Sequence, residues 1–172
     1  MSKNEIQWYA AKVRYQIEKK VRTYLDEKEI EHFIPFRDVV VEHNGRRLKK
    51  NRPVLPGFIF LKADKKTALA VPVESNLKMS FIRNPETGLL ITIPEKQMRD
   101  FMFVLDFSED AIRLENKDLR RGDRVRVIKG DFVGIEGELV RIKGHKRVVV
   151  RLEGLFSLAT TYIPPSFLER IE

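Results

Sequence analysis

Residues 121–142 read RGDRVRVIKGDFVGIEGELVRI, and this stretch decides the fold of the C-terminal part of the chain. Valine and isoleucine alternate with charged residues, a pattern that predicts half-buried strands. Four glycines lie within these strand-like runs: Gly122, Gly130, Gly134 and Gly137. Three structures would account for such glycines: a phosphate-binding loop, the tight corners of a small barrel, or ordinary punctuation between strands.

The glycines do not match either common phosphate-binding motif. A P-loop requires Gly-Lys-Ser/Thr entering a helix, but here each glycine is followed by Asp, Ile or Glu. A dinucleotide fingerprint requires a helix after the glycines, and the sequence that follows them is strand-like. A barrel corner needs a positive φ angle and no side chain where strands cross, and glycine supplies both. We therefore interpret the glycines as barrel corners.

The remaining C-terminal sequence continues the β pattern. The runs DRVRVI, GIEGELVRI, KRVVVRL and SLATTYI are separated by turns at Gly130, Gly144 and Gly154. Four or five short strands in so few residues predict a small barrel over residues 118–172. The preceding residues 108–117 are polar and without a clear period, and we interpret them as a linker.

The N-terminal residues 1–107 mix helical and strand periods. Ile17, Val21, Tyr24 and Leu25 form one apolar helical stripe, and a second helix is predicted within PEKQMRDFMFVLDF. Asn44-Gly45 predicts a hairpin, because both residues tolerate positive φ. Together with the strand-like runs WYAAKV, FIFL, MSFIRN and LLITIP, these features predict an α+β domain in which helices flank an antiparallel sheet.

Composition narrows the classes of function. The 172 residues contain no cysteine, which excludes disulfides and thiolate metal sites. No apolar run is long enough to span a bilayer, and no secretion signal opens the sequence, so we expect a cytoplasmic protein without membrane contact. The net charge is +8, and residues 1–107 hold most of the excess, with 20 Lys and Arg against 14 Asp and Glu. Such an excess favours a polyanionic partner.

No pattern indicates an enzyme. The three histidines form no helical metal-binding pair and lie in no triad motif, and Glu136 and Glu138 are interpreted as solvated surface carboxylates. We therefore expect no catalytic residues, no metal and no cofactor.

The glycine stretch resembles a KOW motif, and the N-terminal half resembles the NusG family. WYAAKVRYQIEKKV is similar to the opening strand and first helix of the NusG N-terminal (NGN) domain, and RPVLPGFIFLK is similar to that family's Phe-Pro-Gly-Tyr signature, with Leu55 and Phe58 as variants. The segment FIRN falls where the family has a similar strand. The order of N-terminal domain, linker and KOW barrel covers nearly the whole chain. Length and detail look more like the specialised UpxY or RfaH type of paralogue, which serves long surface-polysaccharide operons.

The resemblance implies a transcription elongation and antitermination factor that acts as a monomer. Its N-terminal domain would bind the clamp helices of RNA polymerase and suppress pausing. Phe58 and Phe60 alternate along one strand, so both are expected to face the same side. The predicted polymerase-binding residues are Phe58, Phe60, Phe81, Leu55, Pro56 and Lys12. For the two strand phenylalanines, packing in the core is an equally weighted alternative.

A second set of residues is predicted to contact nucleic acid. Five basic side chains within seven residues of one hairpin favour phosphate contact: Arg46, Arg47, Lys49, Lys50 and Arg52. The resemblance adds Arg14 and Lys20, at positions that face non-template DNA in sequence-reading paralogues, and Tyr15, which would stack on a flipped base there; nascent RNA is the other candidate. For these three, a solvated helix face is an equally good interpretation.

In the KOW domain, the resemblance assigns partner binding to Phe156, with termination factor Rho or a small-subunit ribosomal protein as the partner. A position in the barrel core is the alternative for this residue. The structural residues of the KOW motif are Gly122, Gly130, Phe132, Gly134 and Gly137. The competing function for the whole chain is a KOW-type RNA- or ribosome-binding protein.

Overall fold

The computed structural model describes residues 5–14, 16–107, 112–115, 122–152 and 154–172. The chain forms two compact units, Met1–Thr92 and Ile93–Glu172, which are described separately below. The predicted boundaries of the domains and linker, at 107 and 118, stay predictions. The second unit begins before the predicted helix at the end of the N-terminal half, so that helix is described with the C-terminal sheet.

The first unit combines two helices with a five-stranded sheet and a separate hairpin. The strands are β1 (Gln7–Val13), β2 (Glu31–Phe33), β3 (Phe36–His43), β4 (Arg46–Pro53), β5 (Phe58–Ala63), β6 (Met79–Phe81) and β7 (Thr92–Ile93); the helices are α1 (Glu18–Glu27) and α2 (Lys65–Ser75). All of these strands except β3 and β4 belong to the sheet, which has the order β2-β5-β1-β6, with β7 also paired to β1.

One face of this sheet forms the core together with both helices. Strand alternation places Tyr9, Ala11 and Val13 of β1 and Ile59, Leu61 and Ala63 of β5 on the same face, since the register pairs Tyr9 with Leu61. This face packs with Val21 and Leu25 of α1, both fully buried, and with the buried side of α2. The helical stripe predicted from Ile17, Val21, Tyr24 and Leu25 is therefore confirmed.

The strands β3 and β4 pair only with each other and form a two-stranded ribbon. The connecting turn uses Asn44 and Gly45, with φ angles of 51° and 75°, as the sequence predicts. Nearly all ribbon residues are exposed, including Val40, which is 65% exposed. The ribbon is therefore held by its backbone ladder rather than by a core of its own.

The second unit contains one helix and a six-stranded antiparallel sheet. The helix is α3 (Glu95–Phe107), and the sheet has the order β13-β9-β10-β11-β12-β8. Its strands are β8 (Ile112–Glu115), β9 (Asp123–Val127), β10 (Glu136–Ile142), β11 (His145–Arg151), β12 (Phe156–Tyr162) and β13 (Leu168–Arg170), with a 3-10 turn at Pro165–Phe167 before the last strand. The strand β8 lies inside the segment interpreted as a linker and pairs with β12.

Glycine serves the C-terminal sheet in two physically different ways. Gly130 and Gly134 have φ angles of 87° and 94°, which ordinary residues rarely adopt. Gly137 has no such angle, but a Cβ atom there would lie 2.3 Å from the carbonyl oxygen of Val149 on the neighbouring strand. Gly122 has the same constraint, at 2.2 Å from the carbonyl oxygen of Leu139. The motif thus combines positive-φ corners with close backbone approaches, and the α+β fold class predicted from the sequence is confirmed.

Candidate binding surfaces

The sheet face opposite α1 and α2 carries an aromatic and cationic row. The register pairs Lys12 with Phe58, Ala10 with Phe60 and Trp8 with Lys62, so all six side chains lie on this face. The Lys12 ammonium lies 6.0 Å from the centre of the Phe58 ring, and Lys62 lies 5.9 Å from the Trp8 ring. Phe33 of β2 adds an aromatic contact to Phe60 at 6.4 Å. The predicted common orientation of Phe58 and Phe60 is therefore correct.

The residues of the predicted polymerase-binding set differ in accessibility. Lys12 and Pro56 are exposed and Phe58 is half-buried, whereas Phe60 and Leu55 are 0% and 3% exposed. Phe60 and Leu55 therefore occupy buried positions, which for Phe60 is the packing alternative that the sequence left open. A direct docking role for them would require their exposure, so Phe58 and Lys12 are the accessible members of the predicted polymerase-binding set.

Phe81 lies on the other side of the sheet. It pairs with Ala11 of β1, whose side chain points into the helix-covered core, and its ring meets that of Tyr9 edge-on at 6.2 Å. Burial raises the pKa of Tyr9, with smaller contributions in the same direction from Asp64 and Glu5. The structure therefore does not bring Phe81 together with Phe58 and Phe60, because the pairing of β6 with β1 gives it the opposite orientation.

The predicted basic residues are accessible. Arg14, Lys20 and all five cations of the β4 strand are exposed: Arg46, Arg47, Lys49, Lys50 and Arg52. Tyr15 lies outside the described residues. The cations of β4 do not act as one cluster, because alternation along the strand sends them to both faces of the ribbon.

The structure adds two cations of α1 that the sequence analysis did not select. Arg22 stacks on the Phe36 ring at the base of the ribbon, 4.2 Å from the ring centre, and Lys19 lies 5.7 Å from it. Lys19, Lys50 and Arg52 line one cleft between α1 and the ribbon. The only sequence signal for this arrangement was the i, i+3 spacing of two cations on one helix face.

In the second unit, α3 packs on β11 and β12 of the C-terminal sheet. Phe156 is 1% exposed, and its ring lies 5.7 Å from that of Phe101 in α3. Phe132, between the two corner glycines, meets Phe103 of α3 edge-on at 5.7 Å. Phe156 therefore occupies a core position in this structure, and partner binding through it would require its separation from Phe101.

Polar contacts fix α3 on the loop before β10. Asp100 accepts hydrogen bonds from the Lys96 ammonium at 2.7 Å and from the backbone N–H of Glu136 at 3.1 Å. Lys96 also donates to the carbonyl oxygen of Gly134 at 2.8 Å. The buried carboxylate thus has partners on both elements, which removes the cost of burying an unpaired charge.

Glu138 was interpreted from the sequence as a surface carboxylate, and this was wrong. It is 2% exposed and accepts a hydrogen bond from the Arg151 Nε at 2.7 Å, and the Arg151 side chain is itself only 7% exposed. The second carboxylate oxygen accepts from the backbone N–H of Gly122 at 3.1 Å. The strand register, which brings β11 beside β10, supplies the partner that makes burial tolerable.

Within the described residues, no group of three or more His, Cys, Asp or Glu side chains is arranged to hold a metal ion. None of the helices in that part of the chain has both the length and the apolar character needed to cross a bilayer. What the surface does offer is exposed Lys12 beside half-buried Phe58, at the end of an otherwise buried aromatic row, and an exposed cationic ribbon.

Comparison with known proteins assigns the family. The family described as "Transcription termination factor nusG" matches residues 6–102, more than half of the chain. Among solved structures, the chain is similar to Thermotoga maritima NusG, from a study of its domain interaction, at 18% identity and a TM-score of 0.48, with 98% of each chain covered. It is also similar to a chain of the MjSpt4:Spt5 complex at 14% identity and a TM-score of 0.30, covering 96% and 97% of the two chains. Comparison with curated protein sequences found no match. On the strength of the family match, this chain belongs to the NusG family.

Proposed function

We propose that this protein is a transcription elongation factor that binds RNA polymerase through its first unit and alters pausing or termination. The observation that carries the proposal is the family match over residues 6–102, which includes the whole central sheet. That sheet presents half-buried Phe58 beside exposed Lys12 on the face opposite its helices. An aromatic side chain with a polar rim is the usual anchor of a protein interface.

The rest of the proposal names the partners of the protein and the direction of its effect on pausing and termination. We propose the clamp helices of the polymerase as the docking partner, reduced pausing and termination as the effect, and an operon-specific role of the UpxY or RfaH type. The C-terminal sheet would recruit Rho or a small-subunit ribosomal protein through Phe156. The exposed cations of the ribbon would contact the phosphates of the nucleic acid beside the polymerase. No chemical step is assigned to the protein, which we propose acts in the cytoplasm as a monomer.

The test is binding of the full-length protein to a stalled RNA polymerase elongation complex. Phe58→Ala is expected to weaken binding by about tenfold or more, which is the usual loss at an aromatic anchor. Lys66→Ala, on the helix side of the sheet, serves as the control and should bind like the wild type. Phe60→Ala is avoided, because removing a fully buried ring would weaken the fold itself.

Transcription assays with the same proteins decide the direction of the effect. Fewer pauses and more read-through with the wild type, lost in Phe58→Ala, would support antitermination. If the wild type instead increased termination, RNA polymerase would remain the proposed partner, but the proposed effect would be reversed. Absence of polymerase binding together with nuclease-resistant co-purification with ribosomes would instead favour the RNA- or ribosome-binding alternative.

A further inference from the structure

The β3–β4 ribbon has two chemically different faces. In an antiparallel ladder, residues directly opposite each other project to the same side. The register pairs Arg37 with Arg52, Val39 with Lys50, Val41 with Leu48 and His43 with Arg46 on one side. The other side pairs Phe36 with Pro53, Asp38 with Asn51, Val40 with Lys49 and Glu42 with Arg47. The hydrogen bond from the Asn51 amide to Asp38, at 2.9 Å, agrees with this assignment.

We call the first set the cationic face and the second the mixed face. The cationic face holds four Arg and Lys side chains. Within the described residues 36–53 of the ribbon, no Asp or Glu lies on this face. The mixed face holds two cations and two carboxylates, so its formal charge is balanced. The basic excess of the ribbon is therefore directed to one side, which the sequence cluster alone does not reveal.

The order of side chains along the cationic face is also regular. Arg46 lies beside the turn and Arg52 at the base, and six residues of strand separate them by about 20 Å. Between these ends lie Lys50 and three apolar side chains, Val39, Val41 and Leu48, with Leu48 41% exposed. A face with cations along its length and apolar side chains between them can contact phosphates through its cations and base edges, including thymine methyl groups, through its apolar positions.

We propose that the cationic face binds duplex DNA with the ribbon in the major groove. A two-stranded ribbon is narrow enough for the B-form major groove of about 12 Å, whereas the A-form RNA major groove is too narrow to admit it. Single-stranded binding sites combine cations with aromatic platforms for base stacking, and the cationic face carries no Phe, Tyr or Trp. This inference deepens the nucleic-acid contact proposed above and rests on it.

The experiment is fluorescence anisotropy of the full-length chain with a labelled short DNA duplex, one of its single strands and an RNA duplex of the same sequence. The test variant is Arg46→Gln/Lys50→Gln on the cationic face, and its matched control is Arg47→Gln/Lys49→Gln on the mixed face. Each variant removes one arginine and one lysine at neighbouring positions of the same strand, so the change in net charge is identical.

We expect the wild type to bind the DNA duplex more tightly than either competitor. The cationic-face variant should lose about tenfold in affinity at low salt, and the slope of log affinity against log salt should fall by about 2, since each lost phosphate contact removes about 0.9. The mixed-face control should stay within about twofold of the wild type. Circular dichroism and urea unfolding establish that both variants are folded.

Equal losses in the two variants would overturn the assignment to one face. Tighter binding to the single strand or to the RNA duplex would overturn the duplex-DNA partner, and absence of DNA binding by the wild type would overturn the inference altogether. Polymerase binding is measured separately with the same variants. DNA binding without polymerase binding would leave the ribbon inference intact while refuting the proposed function, and the reverse result would refute only the ribbon inference.

Discussion

The β3–β4 ribbon and the C-terminal sheet both carry dense charge, but they place it differently. In the C-terminal sheet, Glu138 and Arg151 are buried as a pair with a hydrogen bond of 2.7 Å, and Arg126 bridges Glu136 and Glu169 across three strands. In the ribbon, Arg46, Lys50 and Arg52 are exposed, and none of the three forms an ion pair with another described residue. Charge paired across strands supports the fold, whereas charge directed to solvent on one face is available to a partner.

Removal of one member of the buried Glu138–Arg151 pair should give the largest loss of stability. Glu138→Ala leaves the Arg151 guanidinium buried without its carboxylate, and we expect it to lower the free energy of unfolding of the second unit by about 3–5 kcal/mol. Lys50→Ala in the ribbon should change stability by about 0.5 kcal/mol or less, since it removes an exposed side chain. Urea denaturation followed by circular dichroism measures both.

A double variant tests whether the loss of the Glu138–Arg151 pair causes the loss of stability. Glu138→Met/Arg151→Met removes both charges and keeps apolar volume, so it should recover most of the stability that the single variant loses. If the double variant were as unstable as Glu138→Ala, the loss would come from packing or from the Gly122 hydrogen bond rather than from the loss of the Glu138–Arg151 pair.

Glycine substitutions compare the backbones of the same two regions. Gly137→Ala would place a Cβ atom 2.3 Å from the Val149 carbonyl oxygen, so the β10–β11 ladder must shift, and we expect a loss of about 2–3 kcal/mol. Gly45→Ala in the ribbon turn meets no atom within 4 Å and is strained only by its φ of 75°, at a cost of about 1 kcal/mol. A larger loss at Gly45 than at Gly137 in urea unfolding would contradict this order.

Local patterns predicted the parts of the fold that depend on local interactions. The Asn44-Gly45 turn, the apolar stripe through Val21 and Leu25, and the strand-like run of β5 are each determined within a few residues, and each is present. The strand β8 was missed because its hydrogen bonds to β12 come from a partner more than 40 residues away in sequence. A polar segment can form such a ladder without an apolar period of its own.

Two features of the candidate surfaces that the sequence did not reveal have the same origin. The orientation of Phe81 follows from the register of β6 against β1, and the burial of Glu138 follows from the approach of Arg151 on β11. The two faces of the ribbon also require its register, although the Asn-Gly turn restricts that register strongly. Which residues are basic can be read from the sequence, but which of them share a face depends on pairing.

The loss of stability on removing an exposed ion pair should lie between that of Glu138→Ala and that of Lys50→Ala. Arg126 bonds to Glu136 at 3.0 Å and to Glu169 at 2.8 Å, but its side chain is 43% exposed. These carboxylates raise the pKa of Arg126, through the Glu169 hydrogen bond first. Because solvent screens such pairs, Arg126→Gln should lower the stability much less than Glu138→Ala does, and the loss should shrink at high salt. A loss as large as that of Glu138→Ala would show that exposure does not determine what a pair contributes here.

The last effect depends on pH and is expected where a charge accepts hydrogen bonds from neutral groups rather than from an opposite charge. Asp64 caps α2 by accepting from the Thr67 backbone N–H at 2.9 Å and from its hydroxyl at 2.7 Å. The side-chain hydrogen bond with Thr67, followed by the backbone one, holds the Asp64 pKa below its ordinary 3.8. A pKa lowered by folding contributes stability above the unfolded value, and this contribution is lost as the pH falls through the folded value.

Asp64→Asn should therefore lower the Tm near neutral pH, and the difference from the wild type should shrink as the pH falls below 3.8 towards the lower pKa of the folded state, where the wild-type carboxyl is itself protonated. Thr67→Ala should move the Asp64 pKa upward, towards 3.8, in a carboxyl NMR titration, because it removes the hydroxyl donor. Glu29→Gln, which removes an exposed carboxylate elsewhere in the same unit, is the control for general charge effects. A Tm difference between Asp64→Asn and the wild type that did not change with pH would mean that the cap depends on the shape of the side chain and not on its charge.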